Sequence, residues 1–274
     1  MTETHMADED EAEEQILQEK PQIVKWLGSI WLHPQATLQK ILGYEKGVWL
    51  VPLLILSGLQ ILKNLIEGPI RTEAVLAELQ AKAAKQALDS LAMGGAGMTV
   101  EAPQAVTGGF TAGPIYNILL PALLGVVGIW VVWILFGSLL HLSLTLAGNR
   151  SSASTSLNLM AWASLPLAVR LLVQIGAIFF SHQLIGSPGL SGFIDPQAGS
   201  AAGFFSSFIS HIDIYLVWQF ILLVMGAMTM GNISRFKASL TVLICMAIML
   251  ALQAVPGVAM QSLSGITAGS FSLF

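Results

Sequence analysis

The chain has 274 residues, of which 54% are hydrophobic and only 10% are charged. A soluble domain of this length needs more charge to cover its surface, so the composition excludes an ordinary soluble protein and predicts an integral membrane protein. The formal net charge is −4, and no basic stripe is present to neutralise phosphates, so nucleic acid is not an expected partner. The single cysteine, Cys245, lies in an apolar stretch, which excludes a disulfide framework and a thiolate metal site.

The segment ahead of the long apolar stretches divides into two parts. Residues 1–20 hold a run of acidic side chains with little to bury, which predicts a disordered acidic tail. Residues 21–46 place apolar side chains at helical spacing, among them Trp26 and Ile30, with Lys25 off that face. Tryptophans and lysines before a membrane span predict amphipathic helices in the membrane interface. Packing of these helices under the bundle is the alternative, and both can hold.

Five apolar stretches follow, each with roughly the 20 residues that a membrane-spanning helix needs, or more. They cover residues 47–66, 115–147, 157–185, 212–230 and 238–263. The predicted fold is therefore an all-α, polytopic membrane helical bundle with five transmembrane helices, preceded by an interfacial amphipathic helix. The membrane domain spans 47–263, with outer loops at 67–114 and 186–210 and an outer C-terminal tail at 264–274.

Lysine and arginine set the predicted orientation, because cytoplasmic loops carry an excess of both. With the N-terminus inside, the cytoplasmic basic residues are Lys20, Lys25, Lys40, Lys46, Arg150, Arg235 and Lys237. The outer ones are Lys63, Arg71, Lys82 and Lys85. The pattern predicts a multi-pass protein of the inner (plasma) membrane, with a cytoplasmic N-terminus and the C-terminus outside.

Short motifs recur in order along the chain. They are Trp31-Leu-His-Pro34 with Thr37, Leu140-His141-Leu142 running into Ala147-Gly148, Ala161-Trp-Ala-Ser-Leu-Pro166, and Ile212-Asp213-Ile-Tyr215 with Trp218 and Gly226. In this order they resemble the Yip family, membrane proteins named for interaction with Ypt/Rab GTPases, in its prokaryotic branch. The resemblance covers about residues 30–263. It departs from the family at Gly148-Asn149, where Gly-Gly is frequent, and in the long outer loop.

The resemblance implies five spans with a cytoplasmic N-terminus. Rab-dependent trafficking does not transfer to a prokaryotic-looking chain, because the GTPase partner is missing. Some bacterial relatives of the family look like accessories to efflux transporters, and most have no assigned activity. The resemblance therefore implies at most a role beside another membrane protein.

Arg170 is a charged residue inside a predicted membrane span, and its position needs a physical reason. It falls near mid-depth of the third predicted span, where a charge costs roughly 2.5–3.5 kcal/mol and must face protein or water. The same count places Gln60, Trp133, Gln219 and Gln253 at similar depth on other spans. These residues predict a polar seam. It either clasps Arg170 internally, through glutamine carbonyls and the tryptophan face, or binds an anion, a lipid head group or an acidic group of a partner.

Two further patterns are candidates for a metal site or a catalytic site. His182, Asp195, His211 and Asp213 flank one outer loop and could converge on a cation, but neither histidine has an i,i+4 partner, so no metal is expected. Gly189-Leu-Ser191-Gly192 matches the GxSG of rhomboid proteases but lies in a loop, without the histidine context of that family. We expect no cofactor and no catalysis.

The sequence thus predicts a non-catalytic scaffold or accessory subunit. Its expected partners are the lipid bilayer and other membrane proteins, such as an efflux transporter or a larger membrane complex. The alternative is a small transporter or a lipid- or anion-binding membrane protein built around the Arg170 seam.

Overall fold

The structure, a computed structural model, describes residues 22–44, 47–92, 115–185, 190, 193, 200–231 and 233–270. Within these ranges, the side chains of 90–92, 116, 200–203, 207 and 256–270 are not described. The predicted acidic tail at 1–20 lies outside the described residues, as do residues 93–114 and most of 186–199.

All regular structure in the described ranges is helical. The α-helices are α1 (Ile23–Leu32), α2 (Pro34–Leu42), α3 (Leu50–Ala92), α4 (Leu120–Leu146), α5 (Ala153–Ala163), α6 (Leu165–Ser181), α7 (Ser200–Ile209), α8 (Ile214–Met230) and α9 (Arg235–Ser270). A π-helical turn, Ile115–Leu119, leads directly into α4.

Four helical segments are long and apolar enough to cross a membrane, which confirms the prediction of an all-helical membrane protein at this level. They are Leu50–Asp89, Asn117–Leu146, Ala153–Ser181 and Arg235–Val255. The stretch predicted as a further span, 212–230, forms the shorter apolar helix α8 of 17 residues.

The first predicted span ends at residue 66, but the helix that forms it does not end there. Helix α3 continues without interruption to Ala92, through Pro69. Strong helix formers after residue 73 favour propagation, and ion pairs at i,i+4 spacing reinforce it, with Glu67 Oε2 2.8 Å from Arg71 Nη2 and Glu78 Oε1 2.7 Å from Lys82 Nζ. The first part of the predicted outer loop is therefore an extension of the spanning helix.

Helix α5 lies at the centre of the bundle. The long helices surround α5 and its continuation α6. Helix α3 packs on α4 and α6, α4 packs on α9, and α8 packs on both α6 and α9. From Asn158 to Ala163, every side chain of α5 is at most 2% exposed. Glycines allow this close approach, because a Cβ at Gly137 of α4 would lie 2.6 Å from Leu157, and one at Gly226 of α8 would overlap Leu159.

The third predicted span is divided at Ser164. Pro166 has no N–H to donate to the carbonyl four residues earlier, and the backbone there is tightened, with the Leu167 N–H donating to the Ser164 carbonyl at 2.9 Å. Beyond this point the chain leaves the centre, since in α6 the buried residues are Leu165, Pro166, Ala168 and Ile178. The centre of the bundle is therefore filled beside α5 and left open beside α6.

The polar hairpin between α4 and α5 ends one helix and starts the next. Gly148 adopts φ +101°, and the Asn149 N–H donates back to the Leu144 carbonyl at 2.9 Å, which closes the C-terminus of α4. Ser152 Oγ accepts from the Thr155 N–H and caps α5. The turn at Gly231 lies beside Asn149, because a Cβ there would lie 2.7 Å from Asn149 Oδ1. We call this side of the bundle the Gly148 end and the opposite side the His211 end.

Helices α1 and α2 pack under the bundle at the Gly148 end. Trp26 lies edge-on to Trp162 of α5, with ring centroids 5.9 Å apart, and Ile30, Leu38 and Ile41 are at most 1% exposed. The sequence analysis gave packing of these two helices under the bundle as the alternative to a position in the membrane interface, and the structure shows this packing.

Because α8 packs closely on α5, adding one methyl group at their contact should lower the stability of the protein. Gly226→Ala would overlap Leu159, which is fully buried, so we expect a loss of about 1–3 kcal/mol in the free energy of unfolding. The matched control is Gly58→Ala, where a Cβ meets nothing within 4 Å; its stability should equal that of the wild type or exceed it by up to about 1 kcal/mol, because alanine favours the helix. Detergent-solubilised protein unfolded by SDS titration gives both values. Equal stabilities for the two variants would contradict this packing.

Candidate functional site: an interhelical cavity

A cavity of about 480 Å³ lies where the chain turns away from the centre of the bundle. Its walls come from α3, α4, α6, α8 and α9, and Met160 of α5 contributes to its floor. The five residues predicted as a polar seam all line it: Gln60, Trp133, Arg170, Gln219 and Gln253. The structure thus brings together the side chains that the depth count placed at one level. The volume lies in the range of ligand pockets, roughly 300–1,000 Å³.

The floor of the cavity, toward the Gly148 end, is apolar and firmly held. It is formed by Leu53, Phe136, Met160 and Met246, each at most 5% exposed. Trp133 lies beside them, stacked on Trp49 at 4.6 Å between ring centroids, and its indole N–H donates to the Leu157 carbonyl at 3.0 Å. The indole is therefore fixed by the backbone of α5 and is not placed to contact the Arg170 guanidinium.

Gln219 is also held by the kink. It is 2% exposed, and its Nε2 donates to Ser164 Oγ at 3.2 Å. Ser164 Oγ in turn donates to the Met160 carbonyl at 2.7 Å. This chain of hydrogen bonds satisfies polar groups where the helix is broken, so Gln219 serves the kink rather than Arg170.

Arg170 is clasped, but not by the groups that the sequence predicted. Its Nε donates to Asp213 Oδ2 at 2.9 Å, and its Nη2 donates to the Ser210 carbonyl at 3.2 Å. The glutamines and the tryptophan face are not its partners, so that part of the prediction is wrong. The side chains of Arg170 and Asp213 are 18% and 15% exposed, which places the ion pair at a partly buried position.

Asp213 has two roles that the sequence analysis missed. Its Oδ1 accepts from the Leu216 N–H at 2.9 Å, so it is the N-cap of α8, while its other oxygen pairs with Arg170. An aspartate directly before a long apolar run is a capping signal. That signal could have shown that α8 starts at Asp213, level with Arg170, and that a carboxylate is therefore available at that depth.

A second charged group lies on α3 at the His211 end of the cavity. Glu67 is 8% exposed and lies between two cations, Arg71 at 2.8 Å and Lys63 at 3.6 Å. Arg71 also donates to the Asn117 carbonyl at 3.2 Å, in the π-helical turn. Of these residues, Lys63 lines the cavity.

Two glycines of α4 form part of the wall. A Cβ at Gly125 would lie 2.7 Å from Gln60 Nε2, so this glycine makes room for the glutamine. A Cβ at Gly128 would meet nothing within 4 Å, because Gly128 faces the cavity itself. The cavity is therefore kept open in part by the absence of a side chain at this position.

Three of the four residues considered for a cation site, His182, His211 and Asp213, lie among the described residues. Among the side chains that the structure describes, no group of three His, Cys, Asp or Glu residues could hold a metal ion. Asp195 and the Gly189-Leu-Ser191-Gly192 motif lie wholly or largely outside the described residues. His211 lines the cavity, with its Nδ1 3.2 Å from Ser210 Oγ.

No protein-family model, curated protein or solved structure matches the chain. The resemblance to the Yip family therefore stays a prediction from the motifs alone.

The ion pair between α6 and the start of α8 can be tested by a double-mutant cycle. Asp213→Asn keeps an oxygen for the cap but leaves the Arg170 charge unpaired, and Arg170→Gln leaves the Asp213 charge unpaired. Each single variant should lower the free energy of unfolding by roughly 1.5–3 kcal/mol, as for a hydrogen bond to a charged group. The double variant should lose less than the sum of the two, because the interaction is counted once.

SDS titration in detergent measures the four stabilities. Lys237→Gln is the control, since this residue is exposed and lies at the other end of the bundle. Strict additivity of the two single losses would show that Arg170 and Asp213 do not depend on each other.

Proposed function

We propose that the protein is a non-catalytic membrane protein that binds an amphiphilic ligand in the interhelical cavity. The observation that carries this proposal is the distribution of polarity along the cavity. Leu53, Phe136 and Met246 lie at one end, and Lys63, Arg170 and His211 at the other. A molecule with an aliphatic part and a polar part matches both ends at once, whereas a wholly polar solute would leave the apolar floor without a partner.

The arrangement favours binding over conduction. The cavity is bounded toward the Gly148 end by the buried helix α5, which packs against α1, α2, α4 and α8 through side chains such as Trp162 and Leu159. A ligand can therefore be held at the His211 end without a polar path crossing the bundle. Of the two functions predicted from the sequence, the lipid- or anion-binding one is thus supported by the geometry more directly than the scaffold.

The scaffold or accessory role is the second candidate, and one observation favours it. In the most apolar stretch of 18 residues in α4, only 11% of the residues are buried within the chain. Its exposed residues include Leu123, Val127, Val131, Ile134 and Leu135. A helix that contributes so little to its own bundle has a face available for another membrane protein. Co-purification in mild detergent, with Val131→Lys as the disrupting variant, tests this role.

We further propose that α8 also spans the membrane, which brings the number of spans to five. Its 17 residues rise about 26 Å, slightly less than the roughly 30 Å of the hydrocarbon core. It packs on α2, α5, α6 and α9, which is the environment of a spanning helix rather than of a surface helix. With five spans the Gly148 end is cytoplasmic, the His211 end faces outward, and α1 with exposed Val24 and Leu32 lies in the inner interface.

Filling the cavity should weaken binding. Gly128→Leu places a side chain in the open space, and we expect about tenfold less photo-crosslinking of a diazirine-bearing fatty alcohol to Leu53, Phe136 and Met246. A tenfold loss corresponds to roughly 1.4 kcal/mol, within the range that overpacking costs. Peptide mapping by mass spectrometry identifies the labelled residues.

Gly58→Leu is the matched control, since it adds the same side chain to an exposed helical position with open space around it. Its crosslinking should equal that of the wild type. If the cavity residues of the wild type are not labelled at all, or if both variants lose labelling equally, the cavity does not bind amphiphiles.

The proposed orientation is tested by cysteine labelling in intact cells. Ala153→Cys at the Gly148 end and Gln183→Cys beyond α6 are both exposed, while the native Cys245 is fully buried. An impermeant maleimide added outside should label the Gln183 variant and spare the Ala153 variant. The reverse pattern would invert the orientation, and labelling of both would exclude an odd number of membrane crossings between the two positions.

A further inference from the structure

Among the residues that the structure describes, the charges at the His211 end of the cavity do not cancel. The charged side chains that line the cavity there, or pair with those that do, are Lys63, Arg71 and Arg170 as cations and Glu67 and Asp213 as anions. Arg170 and Asp213 neutralise each other. The remaining group has two cations for one carboxylate and so carries one formal positive charge.

The excess charge lies on Lys63 rather than on Arg71. Arg71 holds Glu67 at 2.8 Å and is itself fixed by the Asn117 carbonyl, whereas Lys63 is 3.6 Å from the same carboxylate. The shorter, charge-assisted hydrogen bond is the stronger of the two, so Arg71 compensates most of the Glu67 charge. Lys63 also has the more flexible side chain, and its position on the cavity wall allows its ammonium group to turn toward a ligand.

The Lys63 charge is only partly neutralised by Glu67, so it favours binding of an anion beside it. The Lys63 side chain is 20% exposed, so its charge is only partly solvated. In such surroundings the attraction between opposite charges is several times stronger than in water. A neutral head group would leave Lys63 as it is, and a cationic one would be repelled.

We propose that the ligand is an aliphatic chain with a monoanionic head group, a carboxylate or a phosphodiester, and that Lys63 selects it. This inference rests on the proposed function, because it assigns the sign of the charge on a ligand held in the same cavity. The chain of the ligand lies toward Leu53, Phe136 and Met246, and the head group lies at Lys63 beside His211. The Arg170–Asp213 pair stays closed and forms a neutral part of the wall.

The test compares three diazirine-bearing probes on the purified full-length protein: a fatty acid, the fatty alcohol of the same chain length, and a phosphatidylglycerol. Labelling is carried out at alkaline pH, where the carboxyl group is ionised. The wild type should label its cavity residues about tenfold more with the fatty acid or the phosphatidylglycerol than with the alcohol. Whichever of the two anionic probes labels more strongly identifies the source of the head group.

Three variants assign the preference to Lys63. Lys63→Gln should label equally with acid and alcohol, and Lys63→Arg should keep the preference for the anion. Lys82→Gln is the control, because it removes a lysine from the same helix that also pairs with a glutamate four residues away, but at an exposed site. Melting profiles establish that each variant is folded, and Glu67 keeps Arg71 as a partner in all of them.

The outcomes separate this inference from the function on which it rests. Equal labelling of the wild type by acid and alcohol would overturn the selectivity while leaving amphiphile binding intact. A preference for the anion that persists in Lys63→Gln would overturn the role of Lys63. Absence of cavity labelling by every probe would overturn the proposed function itself.

Discussion

The burial of α5 at the centre of the bundle is the constraint on which the rest of the structure depends. Within a membrane there is little hydrophobic force between helices, so close packing and hydrogen bonds must hold a central helix. Helix α5 has both. Trp162 donates to the Val48 carbonyl at 3.0 Å, and Asn158 donates to the Tyr44 carbonyl at 2.8 Å. These bonds tie α5 to the connection between α2 and α3, and the missing side chains at Gly137 and Gly226 let α4 and α8 close around it.

The cavity follows from the way α5 ends. Ser164 and Pro166 direct the chain outward, so one sequence segment fills the centre at the Gly148 end and leaves it open toward the His211 end. The start of α8 is fixed further toward the His211 end, because Asp213 caps this helix and pairs with Arg170 of α6, while Gln219 of the same helix bonds Ser164 at the break. A break in one helix and the beginning of another thus bring polar side chains to the wall of one cavity. This arrangement gives the cavity an apolar floor and a polar opening.

Part of the site was predictable because depth along a helix is a linear function of residue number. At about 1.5 Å per residue, the sequence places Gln60, Trp133, Arg170, Gln219 and Gln253 at comparable depth, and all five line the cavity. Their partners were not predictable in this way, since hydrogen bonding depends on rotation about each helix axis and on where a helix begins. Gln219 binds Ser164 and Trp133 binds a backbone carbonyl, while Arg170 binds Asp213, which the sequence analysis placed at the start of a predicted span but did not pair with Arg170.

By itself, the sequence determined that this protein is a helical membrane protein and where most of its apolar helices run, and it predicted five polar or aromatic residues at comparable depth. Hydrophobicity and helical rise are local properties, so they can be read from consecutive residues. The tertiary structure decided that α5 is central, that Asp213 completes the Arg170 ion pair, and that Lys63 shares Glu67 with the better-placed Arg71. These features depend on which helices are neighbours and on how closely glycines let them approach. No local pattern contains that information, because it arises only when distant segments pack together.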